Sequence, residues 1–287
     1  MKKLNLVSAT VLSILIMGAS GRAEDSIIWP YIHFPTLYIA EEGKEPTGYG
    51  IDVTNYVISK LPEYKHSFKR IPPKRLFFNL KQGYNHCFYG AMKKPDREEY
   101  LHYSLPAKLS PPTTFIVIRK NDLEKFGGAP LSFRKLLKNK KLKVVIKGEI
   151  QYTKELNAIL DEFKGQSNIH IVSGDDLGKQ ELKMLIQKRI DYTVYVTSIL
   201  YEASKLGIRD KITLIPLQEK KSYEVAYFVC PKNEWGKQII DKIDDILRKE
   251  VPKDVFFDFF KDQVTENNLP EFREQYQKLI IEPSTQQ

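Results

Sequence analysis

The chain has 287 residues, with 45 Lys and Arg against 36 Asp and Glu, a formal charge of +9, 42% apolar residues and two cysteines. These are the proportions of a globular protein, not a disordered one, and the length allows one large domain or two small ones. The lysines are scattered and no basic stripe alternates with aromatics, which argues against nucleic acid as a partner; two cysteines cannot build a spaced-pair metal site, and neither a metal nor a cofactor is expected.

Residues 1–23 read as a signal peptide. Lys2 and Lys3 precede an uncharged run over 4–17, which small residues and Gly21-Arg22-Ala23 follow. The run is shorter than the ~20 residues of a membrane span. No cysteine stands near the cleavage site to carry a lipid, so a soluble protein held in a Gram-negative periplasm is expected.

Residues 26–29 read as a first strand, followed by Tyr31, His33, Phe34 and Pro35. In α/β sheets a ligand cleft opens at the carboxyl ends of the strands. Tyr31 and Phe34 are therefore candidate cleft residues, core being their ordinary alternative, and His33 reads as a loop histidine. Gly48-Tyr49-Gly50 leads to Asp52, an expected N-cap, and to a helix with Val53, Tyr56, Val57 and Leu61 on one face. A lone G-x-G is weak evidence for phosphate binding; the glycines read as permitting a close approach to the helix. A strand over 66–71 follows. Pro72-Pro73 opens the next helix, with Leu76, Phe77 and Leu80 inward and Gly83 as its stop. Residues 85–91 read as a third strand. Gly90, near its end, would let a ligand approach the backbone, and 93–97 forms the loop beyond it. Pro111 and Pro112 interrupt an extended run over 107–120, as in a strand that crosses between two lobes.

A second unit echoes the first. It runs through a strand at 143–146, the loop Gly148-Glu149, a helix marked by Leu156, Ile159, Leu160 and Phe163, a strand at 169–172, a helix with Leu182 and Leu185, and a strand at 192–196. Strand and helix alternating in this way predict parallel sheets flanked by helices, and two copies predict two lobes. A helix over 198–206, a strand at 212–215, a polar return over 218–222, a strand at 224–229 and a strongly amphipathic helix with Ile239, Ile243, Ile246 and Leu247 complete the body. The segment 263–287 carries one more helical pattern and either caps a lobe or docks on a partner. Cys87 and Cys230 both lie in apolar strand-like runs. Two buried thiols are the simpler reading, and a disulfide is what an exported compartment also permits.

The order and spacing of Gly48-x-Gly-x-Asp52, the helix ending at Gly83, the strand over 86–91, Asp96-Arg97, Tyr103-Ser104, residues 144–148 and Ala226-Tyr-Phe-Val-Cys-Pro-Lys232 resemble the extracellular solute-binding proteins of family 3, the amino-acid-binding type. The resemblance implies a two-lobed α/β periplasmic-binding-protein-like fold of type II, each lobe a mostly parallel sheet flanked by helices. Lobe 1 would comprise 24–108 and 223–262, lobe 2 would comprise 113–218, two hinge strands would join them, and 263–287 would be an extension. It implies a monomer that binds a small-molecule ligand and serves an inner-membrane transporter permease or a sensor receptor. Arg97 matches the arginine that pairs with the ligand's carboxylate, for which a planar guanidinium is suited; a surface pair with Glu98 or Glu99 is the ordinary alternative. Gly90 matches a backbone contact, and Gly148 a loop whose free N–H groups face an anion.

Three positions depart from the family. Met92 stands where a serine or threonine is usual, Val196 where an aspartate meets the α-ammonium, and Glu149 where a small hydroxyl residue is usual. With both amine partners replaced, the expected solute is an organic acid or modified amino acid instead of a standard one. Glu149 either receives a cation or faces solvent. It is also the one carboxylate available to a dehydratase-like enzyme on the same fold, the alternative to simple binding; a lobe pair acting through protein contacts is the other alternative.

Overall fold

The computed structural model describes residues 26–111, 114–148, 152–173, 178–219, 222–261, 264 and 268–286. The segment read as a signal peptide and Glu149 lie outside them. The first part of the chain runs β1 (Ser26–Tyr31), α1 (Tyr49–Ser59), β2 (Lys65–Arg70), α2 (Pro73–Lys81), β3 (Phe88–Ala91), the helical turn α3 (Pro95–Glu98) and β4 (Leu101–Ser110). β1 pairs in parallel with β2, and Ile28 makes a parallel bridge to His86 just before β3. Helix α1 begins three residues before Asp52, with Gly48 as its N-cap, so Asp52 is not the cap. It sits in the first turn, where its charge still opposes the helix dipole. Gly48 has φ 109°, and a Cβ there would lie 2.7 Å from the Leu37 carbonyl oxygen. The close approach expected of these glycines is therefore real, and only glycine fits it.

The middle of the chain builds the second sheet: β5 (Thr114–Arg119), α4 (Leu123–Phe126), α5 (Phe133–Lys138), β6 (Val144–Lys147), α6 (Lys154–Glu162), β7 (Ile169–Val172), α7 (Lys179–Ile186), β8 (Tyr192–Val196), α8 (Ile199–Lys205) and β9 (Ile212–Pro216). Its strand order is β7-β6-β8-β5-β9. β6 runs parallel to β7 and β8, while β5 runs antiparallel to β8 and β9. Alternate residues feed opposite faces. Ile116, Ile118, Val144, Ile146 and Val194 pack on one side and Val117, Val145 and Tyr195 on the other. A sheet covered on both faces needs continuous apolar runs, which is why these strands read as uninterrupted.

The chain then returns through β10 (Glu224–Pro231), which inserts antiparallel between β3 and β4. The sheets are thus mixed: parallel pairs are joined by crossover helices, and antiparallel pairs involve the strands that leave and re-enter the first half. After β10 come α9 (Glu234–Glu250), α10 (Val255–Phe260), α11 (Leu269–Tyr276) and α12 (Glu282–Thr285). The Asn233 side chain caps α9 by accepting from Gly236 N at 2.8 Å. Its buried stripe of Ile239, Ile240, Ile243 and Leu247 joins a core that also contains Ile27 and Trp29 from the other end of the chain. Phe272, Tyr276, Ile280 and Ile281 are buried in that same core, so the C-terminal helices pack onto the first half.

Cys87 and Cys230 form a disulfide, with their Cα atoms 4.5 Å apart. The expectation of two buried thiols is corrected. Antiparallel pairing sets Phe88 opposite Val229, which places the neighbouring cysteines side by side.

Candidate functional site

A cavity of about 210 Å³ lies between the two halves. The first half contributes Phe34, Tyr49, Phe77, Gly90, Met92 and Arg97 to its wall; the second contributes Thr153, Val196 and Ser198. Lys108, Ser110 and Glu224 line it from β4 and β10, where the chain passes between the halves.

Arg97 reaches the wall from α3, the turn opened by Pro95 directly after β3. Its Cζ lies 3.6 Å from the centroid of the Phe77 ring on α2, so the guanidinium is stacked on an aromatic face. Partial burial lowers its pKa, opposed by the nearby Tyr100, Tyr103 and Asp96. Among the described residues no carboxylate forms an ion pair with it, and the surface pair with Glu98 or Glu99 is not made. The arrangement leaves a planar cation, held flat by Phe77, in the wall of a small cavity. That is the donor geometry for a carboxylate.

Phe34, Gly90, Met92 and Val196 all take part in the wall. Gly90 has φ 97°, and a Cβ there would press on Leu37 at 3.2 Å. Two expected residues stand elsewhere. Tyr31 does not line the cavity; its ring packs against Tyr38 and Phe68 at 6.5 Å from each, at the edge of the first core. Gly148 is also outside the wall, and its N–H donates to the Val172 carbonyl at 3.0 Å, so it is not free for an anion. Parallel pairing of β6 with β7 claims that donor. Wall residues the sequence reading missed include Lys108, Ser110, Thr153 and Ser198. Strand and cap patterns mark where such residues stand, but not that they converge.

The loop over 32–41 grips the second half. Thr36 adopts φ 74°, unusual for a residue with a Cβ, and its carbonyl accepts from Tyr49 N at 3.1 Å. Next to it, Ile32 and Phe34 pack against the second half's apolar cluster around Tyr195 and Ile199. His33 is more than a loop histidine. Its Nδ1 accepts from Ala40 N at 3.1 Å, which leaves the proton of the neutral ring on Nε2 to bond Glu202 Oε1 on α8 at 2.7 Å. Glu41 accepts at Oε1 from Lys205 Nζ at 2.6 Å and from the Tyr201 hydroxyl at 2.9 Å, and at Oε2 from Lys44 at 2.7 Å. These bonds, that to Lys205 foremost, bring its pKa down to about 2.

The sequence pattern of the bacterial extracellular solute-binding proteins, family 3, matches residues 31–276. The chain belongs to that family. No curated protein sequence matches it. Among solved structures it is similar to one reported for glutathione import in Gram-positive bacteria via GshT and the cystine ABC importer TcyBC of Streptococcus mutans: TM-score 0.66, 14% identity, 83% of this chain and 94% of that one covered. The arginine-, lysine-, histidine-binding protein ArtJ of Geobacillus stearothermophilus gives a TM-score of 0.61 at 15% identity, over 83% of this chain and 94% of that one. An ancestral amino-acid-binding protein, a precursor of cyclohexadienyl dehydratase, gives 0.63 at 15% identity, over 83% and 95%. At such identities the likeness establishes the two-lobed fold. Within this solute-binding family, the present chain has no helix among its described residues long and apolar enough to cross a membrane.

Proposed function

We propose that this family 3 member is a periplasmic binding protein. It captures a small carboxylate-bearing solute between two closing lobes and delivers it to an ABC-type transporter permease or a sensor. Lobe 1 comprises 24–108 and 223–262, lobe 2 comprises 113–218, and residues 1–23 direct export of a monomer. The observation that carries the reading is Arg97, stacked on Phe77 in the wall of the interlobe cavity with no ion-pair partner among the described residues. A half-buried guanidinium is poorly hydrated, so a bidentate carboxylate gains more there than in water. A cavity of about 210 Å³ suits a small-molecule solute. Glu224, the described carboxylate in the wall, lies on a crossing strand and is engaged in an interaction of its own.

The test is titration calorimetry with small carboxylates, beginning with any acid that native mass spectrometry finds co-purified. Arg97→Met should weaken binding by about 1.5–3 kcal/mol, the worth of hydrogen bonds to a charged group, in a variant that still folds cooperatively. Undiminished affinity in that variant would sink the carboxylate reading.

A further inference from the structure

One stretch breaks the even scatter of charge. Residues 125–148 contain eight Lys and Arg and no Asp or Glu, in a chain whose totals are 45 against 36. Three of those eight have a carboxylate partner: Lys125 pairs with Asp191, Arg134 with Glu162, and Lys147 with the buried Glu181. The other five, Lys135, Lys138, Lys140, Lys141 and Lys143, are exposed, and none forms an ion pair among the described residues. Local structure gathers them. Lys135 and Lys138 lie one turn apart on α5 and share a face. The chain then turns sharply: the Lys141 N–H donates to Asn139 Oδ1 at 3.1 Å, and the Leu142 N–H to the Asn139 carbonyl at 3.0 Å. The buried Asn168 amide ties this turn down by donating to the Leu142 carbonyl at 3.1 Å. Lys143 follows at the head of β6.

These lysines stand at the wrong end of the sheet to serve the solute. β6 and β8 run parallel, with Val144 opposite Tyr192. Val196, at the carboxyl end of β8, lines the cavity; Lys143 is at the amino end, about 13 Å back along the strands. The stretch also offers charge and nothing else. Its Leu, Ile, Val and Phe residues, Leu136, Leu137 and Leu142 among them, are all buried. A protein–protein interface is centred on aromatic, Met or Arg anchors and is depleted in Lys. A layer of anionic lipid headgroups needs no anchor and no fixed geometry. Each lysine held near it strengthens binding about fivefold.

We infer that the face of the second half formed by Lys135 to Lys143 docks on a bilayer surface rich in anionic phospholipid. The attachment is peripheral, with no side chain inserted, and it keeps the cavity at the far end of β6 and β8. It does not depend on what the cavity holds. The test is co-sedimentation with vesicles of the protein freed of residues 1–23. It should bind vesicles of phosphatidylglycerol mixed equally with phosphatidylcholine, and not phosphatidylcholine alone. Raising salt from about 0.1 M to about 1 M shortens the Debye length from about 10 Å to about 3 Å and should release it. Lys140→Gln combined with Lys141→Gln should weaken binding about 25-fold. Lys69→Gln combined with Lys249→Gln removes the same charge from exposed positions on β2 and α9 and should leave binding nearly unchanged. Equal losses in the two double variants would show that net charge is read and not this face. Binding to phosphatidylcholine alone, or binding that survives high salt, would show an apolar attachment. Each of these overturns the inference, as does failure to bind anionic vesicles, the outcome expected if the face serves an acidic protein.

Discussion

Asp244 on α9 shows how one residue repairs the sheet beside the site. β4 and β10 lose register around Tyr227, so the ladder is irregular near Leu105-Pro106. The Leu105 N–H donates instead to Asp244 Oδ1 at 2.6 Å. Burial raises the Asp244 pKa to about 6, against the favourable pull of that N–H. Since an unfolded aspartate titrates near 3.9, the folded state binds the proton more tightly. Asp244 therefore makes stability fall as pH rises from about 4 to above 6. Asparagine can accept the same bond without the charge. Asp244→Asn should match the wild type at pH 4 and melt about 2–4 °C higher at pH 7.5, about 1 kcal/mol after allowance for solvent screening. Parallel melting curves across that range would refute the assignment.

At the scale of elements, the first core depends on joining strands that the chain keeps far apart. β3 and β10 are adjacent, yet the cysteines at their ends are 143 residues apart in sequence, with the whole second sheet between them. A bridge across so long a loop restricts the unfolded chain strongly. Replacing Cys87 and Cys230 together by alanine should lower stability by about 2–4 kcal/mol and melting by about 5–15 °C; an unchanged melting temperature would mean that strand pairing alone holds the join. The same distance explains what the sequence could express. Helices α2 and α9 and the strands of the second sheet were legible because apolar periodicity is local. The antiparallel insertion of β10 was not, because pairing direction depends on chain that arrives later. Arg97, Gly90, Met92 and Val196 were picked out by motif position and Phe34 by its place after the first strand, and all five line the cavity. Tyr31 and Gly148 did not, because strand direction and pairing decide which face a side chain takes and which N–H remains free. His33 and Glu202 are 169 residues apart, and no local pattern links them.

For the whole molecule, the contacts of the 32–41 loop bear on the balance between open and closed lobes. A solute bound by both lobes must supply the free energy of closure from its own affinity, less whatever the lobes gain by touching each other. Here they touch through His33–Glu202, with side chains 10% and 7% exposed, and through the more open Glu41–Lys205 pair. The first is shielded from water; the second is a surface pair, weakly stabilising and weakened further by salt. None of the four residues lines the cavity, so they add to closure without choosing the solute. Glu202→Ala leaves His33 Nε2 without its acceptor and should shift the solute-free protein toward open forms. Small-angle scattering should then show a larger radius of gyration for the free variant than for the free wild type, and the same radius once each is saturated. Affinity should fall about 5- to 10-fold for every solute alike. High salt should expand the free wild type slightly, by loosening Glu41–Lys205, and Glu41→Ala should remove that salt response. If free wild type and free Glu202→Ala scatter identically at every salt concentration, these bonds follow closure and do not drive it.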